Sequence, residues 1–556
     1  MTAPLPPIRS GGAFLAALAA DFAAAEFTVS GLDALWGAVA AAALFRGDRV
    51  PARRALDQVT GSGTRAGRAA DGAVDEPPAW RAADGAEDES RARRATLARC
   101  FVLGLPVERA ALARAIPTAG VDAAIEAGLL RTPDTQLAND DDRLVPLVDL
   151  RPYDFVDDLG PGSFWILSDL GELAVGGALG EQHVLGIGGA STTLAGLMLP
   201  TRVRSVLDLG TGCGIQALHA RRFAERVVAT DISARALDIA RFNAALNGVD
   251  GIEFRSGSLF EPVVGERFDR IVSNPPFVIT PRRADVPAYE YRDGGMVGDA
   301  LVERVIRGIP EHLEPGGTAQ LLGNWEYRVG VDGLARVEGW VVDSDLDVWV
   351  IERERQDPPT YAETWVRDGG TRPGTPEYEP LVDAWLDDFA TRSVTEVGFG
   401  YVVLRASHPD AIPDRSGGAS RLRRFEQRPD ALGSVPVGLG PVVARVLDAV
   451  TWLRSVDDAA LLRAHLRVAG DVTEERHYWP GNDDPTVITL VQGGGFGRRV
   501  DAGTALAACV GACDGELSLA AIIGAIAQLT AVDEAALVAE LLPQVRSLVT
   551  DGLLLS

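Results

Sequence analysis

Four short segments between Ser205 and Phe277 place glycines and polar residues directly after apolar runs. They read, in order, SVLDLGTGCGIQALHA, VVATDISARALDIARF, FRSGSLFEP and FDRIVSNPPF. A short apolar run bounded by glycine or a turn is typical of a buried strand, and an open parallel sheet presents its strand ends along one edge. The spacing therefore predicts four strand–helix units that share one binding edge.

The glycines of the first segment are spaced for close contact with a ligand. Gly210, Gly212 and Gly214 separate a predicted strand from a predicted helix. Glycine lets the chain turn sharply and lets backbone N–H groups approach a ligand with no Cβ in the way. Dinucleotide folds use the same device, but the third glycine spacing of a pyrophosphate loop is absent and Asp208 precedes the loop. We expect a ligand without phosphates whose α-amino group gains from the Asp208 carboxylate.

The ends of the next strands add further candidate contacts. Asp231 closes the second predicted strand, where a carboxylate can accept hydrogen bonds from both hydroxyls of a ribose. Ile232 follows it, and Ser258 and Leu259 follow the third predicted strand. The fourth strand ends in Asn274-Pro275-Pro276-Phe277. In isolation this last segment could be a turn that ends a strand, since Asn-Pro and Pro-Pro mark turns.

Together these segments resemble the class I methyltransferases that use S-adenosylmethionine, and within them the enzymes with an Asn/Asp-Pro-Pro-aromatic motif. That group modifies adenine N6 or guanine N2 in nucleic acids, or glutamine in release factors. The resemblance extends from about Val184 to Trp325, and the segment GGMVGDALVERVIRGIPEHLEPGG is similar to the glutamine-modifying enzymes. The arrangement of the whole chain is also similar to actinobacterial methyltransferases. The resemblance implies S-adenosylmethionine as the cofactor, bound by Asp208, Gly210, Gly212, Gly214, Asp231, Ile232, Ser258, Leu259 and Asn274.

The same resemblance implies that Asn274, Pro275, Pro276 and Phe277 are catalytic, and their chemistry supports this. An amide or exocyclic amine is a poor nucleophile because its lone pair is delocalised. Hydrogen bonds from its N–H groups to the Asn274 side-chain oxygen and the Pro275 carbonyl would favour a more reactive nitrogen. Prolines stiffen the backbone and offer no competing N–H, and Phe277 can stack on a planar group. Two positions depart from the family: Ser258 replaces an acidic residue that would contact adenine, and Phe277 replaces a tyrosine found in many members.

The loop that follows the fourth segment, residues 278–295, contains several arginines and tyrosines. Loops at the carboxyl edge of such sheets usually contact the substrate. We therefore expect this loop to take part in substrate binding.

Composition bears on the substrate. The 556 residues carry a formal net charge of −25, and because the sequence has no lysine all 53 basic residues are arginine. A protein whose main partner is a nucleic-acid backbone usually presents a basic field, which this chain does not do overall. The arginine clusters, at residues 91–94, 282–283, 421–424 and 498–499, are interpreted as solvated surface. Four cysteines are too few for a disulfide framework in a chain of this length.

The chain is predicted to be α/β, with a Rossmann-like seven-stranded methyltransferase core and helical, winged-helix-like terminal domains. The predicted domains are residues 1–150, with 60–88 flexible because large apolar side chains are scarce there, then 151–407 for the core and 420–556 for an accessory domain. The predicted wing tip of the N-terminal domain, residues 139–142, is Asn-Asp-Asp-Asp. Its charge would repel phosphate.

These observations predict a methyltransferase that modifies a planar amino or amide nitrogen, with a slight preference for a base of RNA or DNA. The alternative is a protein glutamine or a small molecule, and a further alternative is a non-catalytic scaffold that binds S-adenosylmethionine. The macromolecular partner is left as either nucleic acid or protein, and a homodimer through the terminal domains is considered. No signal peptide or transmembrane run is recognised, so a cytoplasmic protein without membrane contact is expected.

Overall fold

The computed structural model describes residues 6–9, 11–59, 81–133, 142–175, 179–283, 286, 292–407 and 421–556. Along these residues the chain forms a largely helical N-terminal part, a long β-hairpin, a central mixed sheet with helices on both faces, and a C-terminal part of helices and short strands. This is the predicted α/β class with extra terminal parts.

The N-terminal part, where it is described, is built from helices and three short strands. Its elements are α1 (Gly12–Ala24), α2 (Val29–Phe45), α3 (Val50–Val59), α4 (Arg81–Leu97) with a π-helical turn (Ala98–Val102), β1 (Val107–Glu108), α5 (Arg109–Ala115), α6 (Val121–Glu126), β2 (Leu130–Arg131) and β3 (Arg143–Pro146). Strand β3 pairs antiparallel with both β1 and β2. The element order from α4 to β3 is compatible with a winged-helix-like unit, which stays a prediction.

Two sequence predictions for this part concern residues that are only partly described. Residues 60–80 of the predicted flexible segment lie outside the described residues, but 81–88 begin helix α4 rather than an irregular segment. Alanine is the strongest helix former, and one turn further on the pair Glu89–Arg93 joins side chains four residues apart at 2.6 Å. Of the predicted wing tip, residues 139–141 lie outside the described residues.

A long hairpin and two helices lead from the N-terminal part to the central sheet. The elements are β4 (Val148–Asp157), β5 (Gly160–Asp169), α7 (Glu172–Val175) and α8 (Gly189–Leu197). Asn243 and Asn247, from a helix of the core, hydrogen-bond the backbone of β5 at Leu167 and Trp165, with distances of 2.8 to 2.9 Å. These bonds join the hairpin to the core.

The central sheet has eight strands in the order β8-β7-β6-β9-β10-β12-β11-β13. The elements from its first strand to its last are β6 (Val203–Leu209), α9 (Ile215–Arg221), β7 (Ala224–Asp231), α10 (Ala234–Leu246), β8 (Ile252–Ser256), a 3-10 turn (Glu261–Val263), β9 (Phe268–Ser273), α11 (Ala300–His312), β10 (Leu313–Arg328), α12 (Gly333–Val341), β11 (Leu346–Gln356), α13 (Pro358–Asp368), α14 (Tyr378–Thr391), β12 (Val394–Ala406) and β13 (Arg423–Gln427). Strand β12 is antiparallel to both of its neighbours, and the other pairings are parallel.

The sheet contains the predicted seven-stranded Rossmann-like core and one further strand. Strand β13 pairs with β11 at the sheet edge, so residues 423–427, which the sequence assigned to the C-terminal domain, lie in the core sheet. Its sequence, RRFEQ, lacks an apolar run, and its side chains are mostly half-buried. A polar edge strand gives no periodic signal. The boundaries of the domains otherwise stay predictions.

The C-terminal part follows β13. Its elements are α15 (Gly440–Ser455), α16 (Asp458–Arg463), β14 (Arg467–Val468), β15 (Val472–His477), β16 (Val487–Gln492), β17 (Arg499–Asp501), α17 (Thr504–Gly511), α18 (Leu519–Thr530), α19 (Glu534–Thr550) and β18 (Leu554–Leu555). Helix α15 shares a buried cluster with the central sheet, in which Val443 and Leu447 meet Trp349 and Ile351 of β11. The C-terminal part is therefore packed onto the sheet.

No single helix of the described residues is long and apolar enough to cross a membrane. Helices α1 and α2 reach that composition only as a pair bent by 49°. Leu15, Leu18 and Phe22 of α1 are fully buried against the core of the protein. The apolar character of α1 is thus accounted for by packing.

Candidate functional site

The predicted segments meet at the carboxyl edge of the central sheet. Their registers align closely, because Leu209 lies beside both Thr230 and Ser273. The Ser273 hydroxyl donates to the Leu209 carbonyl at 2.8 Å, and the N–H of Gly210 donates to the Thr230 carbonyl at 2.9 Å. The residues that follow these three strands are consequently neighbours, as the sequence predicted.

The glycine loop has free space beside its first two glycines and packs against a helix at its third. Gly210, Gly212 and Gly214 have φ of +76°, +55° and +85°, which favour glycine. A Cβ at Gly210 or Gly212 would meet no atom within 4 Å, whereas one at Gly214 would lie 2.9 Å from the Cβ of Ala240 on α10. The first two glycines therefore leave space above the loop, and the third allows helix α10 to approach.

Asp231 organises the loop from the end of β7. Its Oδ2 accepts the N–H of Gly212 at 2.9 Å and its Oδ1 accepts the N–H of Ser233 at 2.9 Å. Burial raises the pKa of Asp231, while these backbone bonds oppose the rise. Ile232 beside it is 67% exposed, so an apolar side chain stands open next to the carboxylate. A ribose with its attached base fits that combination.

Asp208 lies beneath the loop and is fully buried. Its Oδ2 accepts a hydrogen bond from the Thr211 hydroxyl at 2.6 Å, and its Oδ1 has no partner among the described residues. Burial raises the pKa of Asp208 to about 7, although hydrogen bonds from the Thr211 hydroxyl and the Ala217 backbone oppose the rise. A buried carboxylate oxygen without a partner is costly, so a cationic group of a ligand would be stabilised here.

Ser258 and Leu259 follow strand β8, and Glu261 lies close to them, a neighbour that the sequence did not single out. The Ser258 N–H lies 3.4 Å from Oε2 of Glu261, and Leu259 has a φ of +50°. The Glu261 carboxylate therefore lies beside the backbone of Ser258. Its position three residues after Ser258 was the available signal.

The residues Asn274–Phe277, called the NPPF turn below, follow β9 directly. The Oδ1 atom of Asn274 is buried and has no hydrogen-bond partner among the described residues. Pro275 is buried, while Phe277 is half-buried, with its ring edge-on to Trp365 and Phe399 at 6.3 Å between centroids. The turn therefore combines an unused acceptor with an aromatic wall.

The loop after the NPPF turn was predicted to contact substrate, and its described arginines have partners within the protein. Arg282 is paired with Asp293, and Arg292 donates to Asp368 at 2.9 Å. The Val278 N–H donates to the Arg292 carbonyl at 2.8 Å, which folds the loop back on itself. The two tyrosines of this loop, at positions 289 and 291, lie outside the described residues.

This site fits S-adenosylmethionine. The open glycine loop suits the methionine end, and the Asp231 carboxylate beside exposed Ile232 suits a ribose with its base. The unpartnered oxygen of Asp208 suits an α-ammonium group. Among the described residues, no cluster of His, Cys, Asp or Glu could hold a metal ion.

Comparisons with known proteins agree with this geometry. Residues 186–330 match the family model described as Methyltransferase small domain, and residues 24–140 and 444–556 match two models described as domains of unknown function, DUF7059 and DUF7782. The chain is 41% identical over 148 residues to the release factor glutamine methyltransferase of Xylella fastidiosa, covering 25% of this chain and 53% of that protein. It is 39% identical over 151 residues to the ribosomal protein uL3 glutamine methyltransferase of Bradyrhizobium diazoefficiens, covering 25% and 46%.

The chain spans about half the length of these curated relatives. A solved structure of a ribosomal protein L11 methylase from Lactobacillus delbrueckii is 21% identical and covers 42% of this chain and 83% of that one, with a TM-score of 0.24, which is too low to carry weight. The family match and the sheet order define a class I methyltransferase domain whose cofactor is S-adenosylmethionine.

Proposed function

We propose that this protein transfers a methyl group from S-adenosylmethionine to the side-chain nitrogen of a glutamine in another protein. The observation that carries the proposal is the buried Oδ1 of Asn274, which has no partner among the described residues and follows the strand beside the glycine loop. A primary amide supplies the N–H group that this oxygen lacks.

The chain's own residues would prepare the amide for attack. The cofactor supplies an electrophilic methyl group on a sulfonium. Asn274 Oδ1 and the Pro275 carbonyl accept the two amide N–H groups, which orients the nitrogen and weakens its conjugation. Pro275 and Pro276 keep that carbonyl in place, and the ring of Phe277 covers the planar amide. Positioning the nitrogen in this way would supply much of the rate. As the N–CH₃ bond formed and the S–CH₃ bond broke, S-adenosylhomocysteine would be the leaving group and the nitrogen would give up one of its two protons to solvent.

Protein is supported better than nucleic acid as the acceptor, so the initial preference for a base gives way to the alternative. The relatives named above modify glutamine in release factors or a ribosomal protein. The net charge of −25 disfavours a phosphate backbone as partner. In addition, arginines of the four sequence clusters have acidic partners, as in Arg93–Glu89, Arg282–Asp293, Arg424–Asp551 and Arg499–Glu475.

The proposal is tested with methyl-labelled S-adenosylmethionine and an extract of the host from a strain that lacks the gene. Labelled product is divided between nuclease and protease, and protein label is hydrolysed to identify N5-methylglutamine. Label removed by protease and recovered as N5-methylglutamine supports the proposal. Label removed by nuclease would establish a nucleic-acid substrate, and label that survives both enzymes would indicate a small molecule.

Two variants separate chemistry from cofactor binding. Asn274→Ala is expected to reduce methyl transfer at least ~100-fold, because it removes an acceptor that acts on the reacting nitrogen, with little change in the Kd of S-adenosylmethionine. Asp231→Ala is expected to raise that Kd ~10- to 100-fold, because it removes hydrogen bonds to a charged group. Initial rates and calorimetry measure the two effects. Undiminished transfer by Asn274→Ala would show that Asn274 has another role.

A further inference from the structure

The backbone that leaves the NPPF turn is held by two side chains from other elements. Asn324, near the carboxyl end of β10, donates from Nδ2 to the Phe277 carbonyl at 2.7 Å and to the Tyr361 hydroxyl at 3.2 Å. The Tyr361 hydroxyl also accepts the N–H of Ile279 at 2.9 Å. The carbonyl of residue 277 and the N–H of residue 279 are thus fixed by one connected set of bonds.

The chemistry of the partners determines how the Asn324 amide is oriented. A backbone carbonyl can only accept, so the group that faces Phe277 must be the NH₂ of Asn324, and both of its protons are used. Its Oδ1 atom is buried and has no partner among the described residues. The amide therefore cannot reverse without placing two acceptors against each other.

Tyr361 is fully buried and tightly held. Its ring is stacked on Phe399, with 5.6 Å between centroids and 17° between planes. Burial raises the pKa of Tyr361, so its phenol stays neutral at physiological pH. A buried phenol that accepts a backbone N–H in this way is a rigid support.

Tyr361 connects the NPPF turn to a segment inserted between two strands of the sheet. Tyr361 lies on α13, in the insertion of residues 357–391 between β11 and β12. The helices of this insertion form a buried cluster with Val278 and Ile279. The insertion therefore packs on the residues that directly follow the NPPF turn.

We propose that Asn324 and Tyr361 are positioning residues for methyl transfer, which hold the NPPF turn in register with the cofactor. This inference rests on the proposed function. The acceptor oxygens of Asn274 and Pro275 must be positioned relative to the substrate nitrogen with an accuracy of a fraction of an ångström. A displacement of about 1 Å can reduce the rate ~100-fold. The 357–391 insertion is accordingly part of the catalytic apparatus.

Tyr361→Phe tests the assignment because it removes one hydroxyl and keeps the stacked ring. The initial rate of label transfer to the protein fraction of the extract, at saturating S-adenosylmethionine, is expected to fall ~10-fold. The Kd of S-adenosylmethionine is expected to stay within about twofold, since the glycine loop and Asp231 are untouched. Amide exchange at Ile279, followed by mass spectrometry, is expected to accelerate because this N–H loses its acceptor.

Tyr153→Phe is the matched control. Tyr153 of β4 is half-buried, and its hydroxyl is bonded to Nε2 of His219 on α9 at 3.2 Å, so the same atom is removed from a tyrosine outside the network around the NPPF turn. It is expected to leave the rate of transfer and the exchange at Ile279 as in the wild type. Asn324→Asp provides a second variant of the network, because it directs a carboxylate oxygen at the Phe277 carbonyl and is expected to slow transfer more than Tyr361→Phe.

The outcomes separate this inference from the proposed function. If the wild type transfers label to glutamine and Tyr361→Phe does so equally fast, the positioning role is overturned while the function stands. An equal loss in Tyr361→Phe and Tyr153→Phe would also overturn it, because the effect would then be general destabilisation. If the wild type itself labels no glutamine, the proposed function fails and the inference fails with it.

Discussion

Asp208 and Asp231 illustrate how the environment of one residue decides its chemistry at this site. Both carboxylates accept hydrogen bonds, but Asp231 uses both oxygens, for the N–H groups of Gly212 and Ser233, whereas Asp208 is fully buried and its Oδ1 has no hydrogen-bond partner among the described residues. The sequence predicted a ligand contact for each. The difference in their burial and partners makes Asp208 the group that responds to pH near neutrality.

The affinity for S-adenosylmethionine is predicted to rise with pH between about 5.5 and 7. Burial raises the pKa of Asp208 to about 7, so the free protein holds a proton on it below that pH. The α-ammonium group of the cofactor favours the ionised carboxylate, and it keeps its own charge over this range. The affinity should therefore increase ~10-fold as the carboxylate ionises. Calorimetry at several pH values measures the effect.

Asp208→Asn is the control for that prediction. Asparagine has nearly the same shape and does not ionise, so its affinity should be lower at pH 7 and should vary much less with pH. An unchanged pH dependence in Asp208→Asn would assign the titration to another group, for which Asp231 is the next candidate because burial also raises its pKa.

At the scale of elements, strand ends and the connections between strands build the site. The loop after β6, the ends of β7 and β9, and the insertion after β11 each contribute one part. Strand β10 continues through several polar residues to Arg328. These residues include Asn324 and Glu326, both buried. Glu326 forms ion pairs with Arg328 and Arg392. Internal partners make such polar residues compatible with a buried strand.

Two alanine substitutions in the glycine loop are predicted to have different effects. Gly214→Ala places a Cβ 2.9 Å from the Cβ of Ala240, at a φ of +85°. It should lower the free energy of unfolding by about 2–4 kcal/mol, through backbone strain and overpacking. Gly210→Ala carries similar strain but meets no atom within 4 Å. It should cost about 1–2 kcal/mol in stability and weaken cofactor binding ~10-fold.

Urea denaturation and calorimetry distinguish the two glycine variants. The difference between the two variants in stability and in cofactor affinity is the test, because both substitutions add one methyl group to the same loop. Stronger destabilisation by Gly210→Ala than by Gly214→Ala would mean that the open side of the loop faces protein instead of ligand.

At the scale of the whole molecule, an ion-pair network joins the C-terminal part to the edge of the central sheet. Glu426 of β13 accepts hydrogen bonds from Arg498, at 2.7 and 3.0 Å, and from Trp349 Nε1 at 2.8 Å. Arg498 is almost fully buried, and Asp551 lies 2.6 Å from Arg424. The C-terminal part is thus anchored by charge as well as by the cluster around α15.

Glu426→Gln is predicted to lower the free energy of unfolding by about 2–3 kcal/mol at pH 7, because it leaves Arg498 buried without its main counter-charge. Burial alone would raise the pKa of Glu426, but the hydrogen bond from Arg498 and the charges of Arg424 and Arg498 lower it to about 2. The stabilisation is therefore present above about pH 4.3 and is lost as pH falls toward 2. Urea denaturation as a function of pH measures both features.

Glu303→Gln is the control for that prediction, since it removes a half-exposed pair with Arg307 on α11. Its effect should stay within about 0.5 kcal/mol. Equal effects of the two substitutions would show that the network around Glu426 does not stabilise the attachment of the C-terminal part.

The class of the fold and the candidate residues of the cofactor site could be predicted from the sequence alone. Each of those features is local: an apolar run marks the strand, and Gly210 or Asp231 follows it within a few residues. Parallel strands then bring these ends to one edge without further information. The same applies to the NPPF turn, because its residue types indicate a possible chemistry without knowledge of the fold.

The residues that hydrogen-bond the backbone after the NPPF turn are distant from it in sequence and could be identified only from the folded chain. The bonds from Asn324 to Phe277 and from Ile279 to Tyr361 span 47 and 82 residues of sequence. They form because β10 lies beside β9 in the sheet and because α13 packs against the residues that follow the turn. Hydrogen bonds between such distant residues leave no periodic trace in the sequence.

The eighth strand and the network around Glu426 belong to the same category. The polar residues of β13 give no strand signal, and Glu426 and Arg498 are 72 residues apart in the chain. Their pairing depends on how the C-terminal part packs on the sheet. Burial, partner and charge at each of these positions are properties of the folded molecule. The sequence could therefore suggest candidate residues for the cofactor site, but not the distant residues that pack and hydrogen-bond around the NPPF turn.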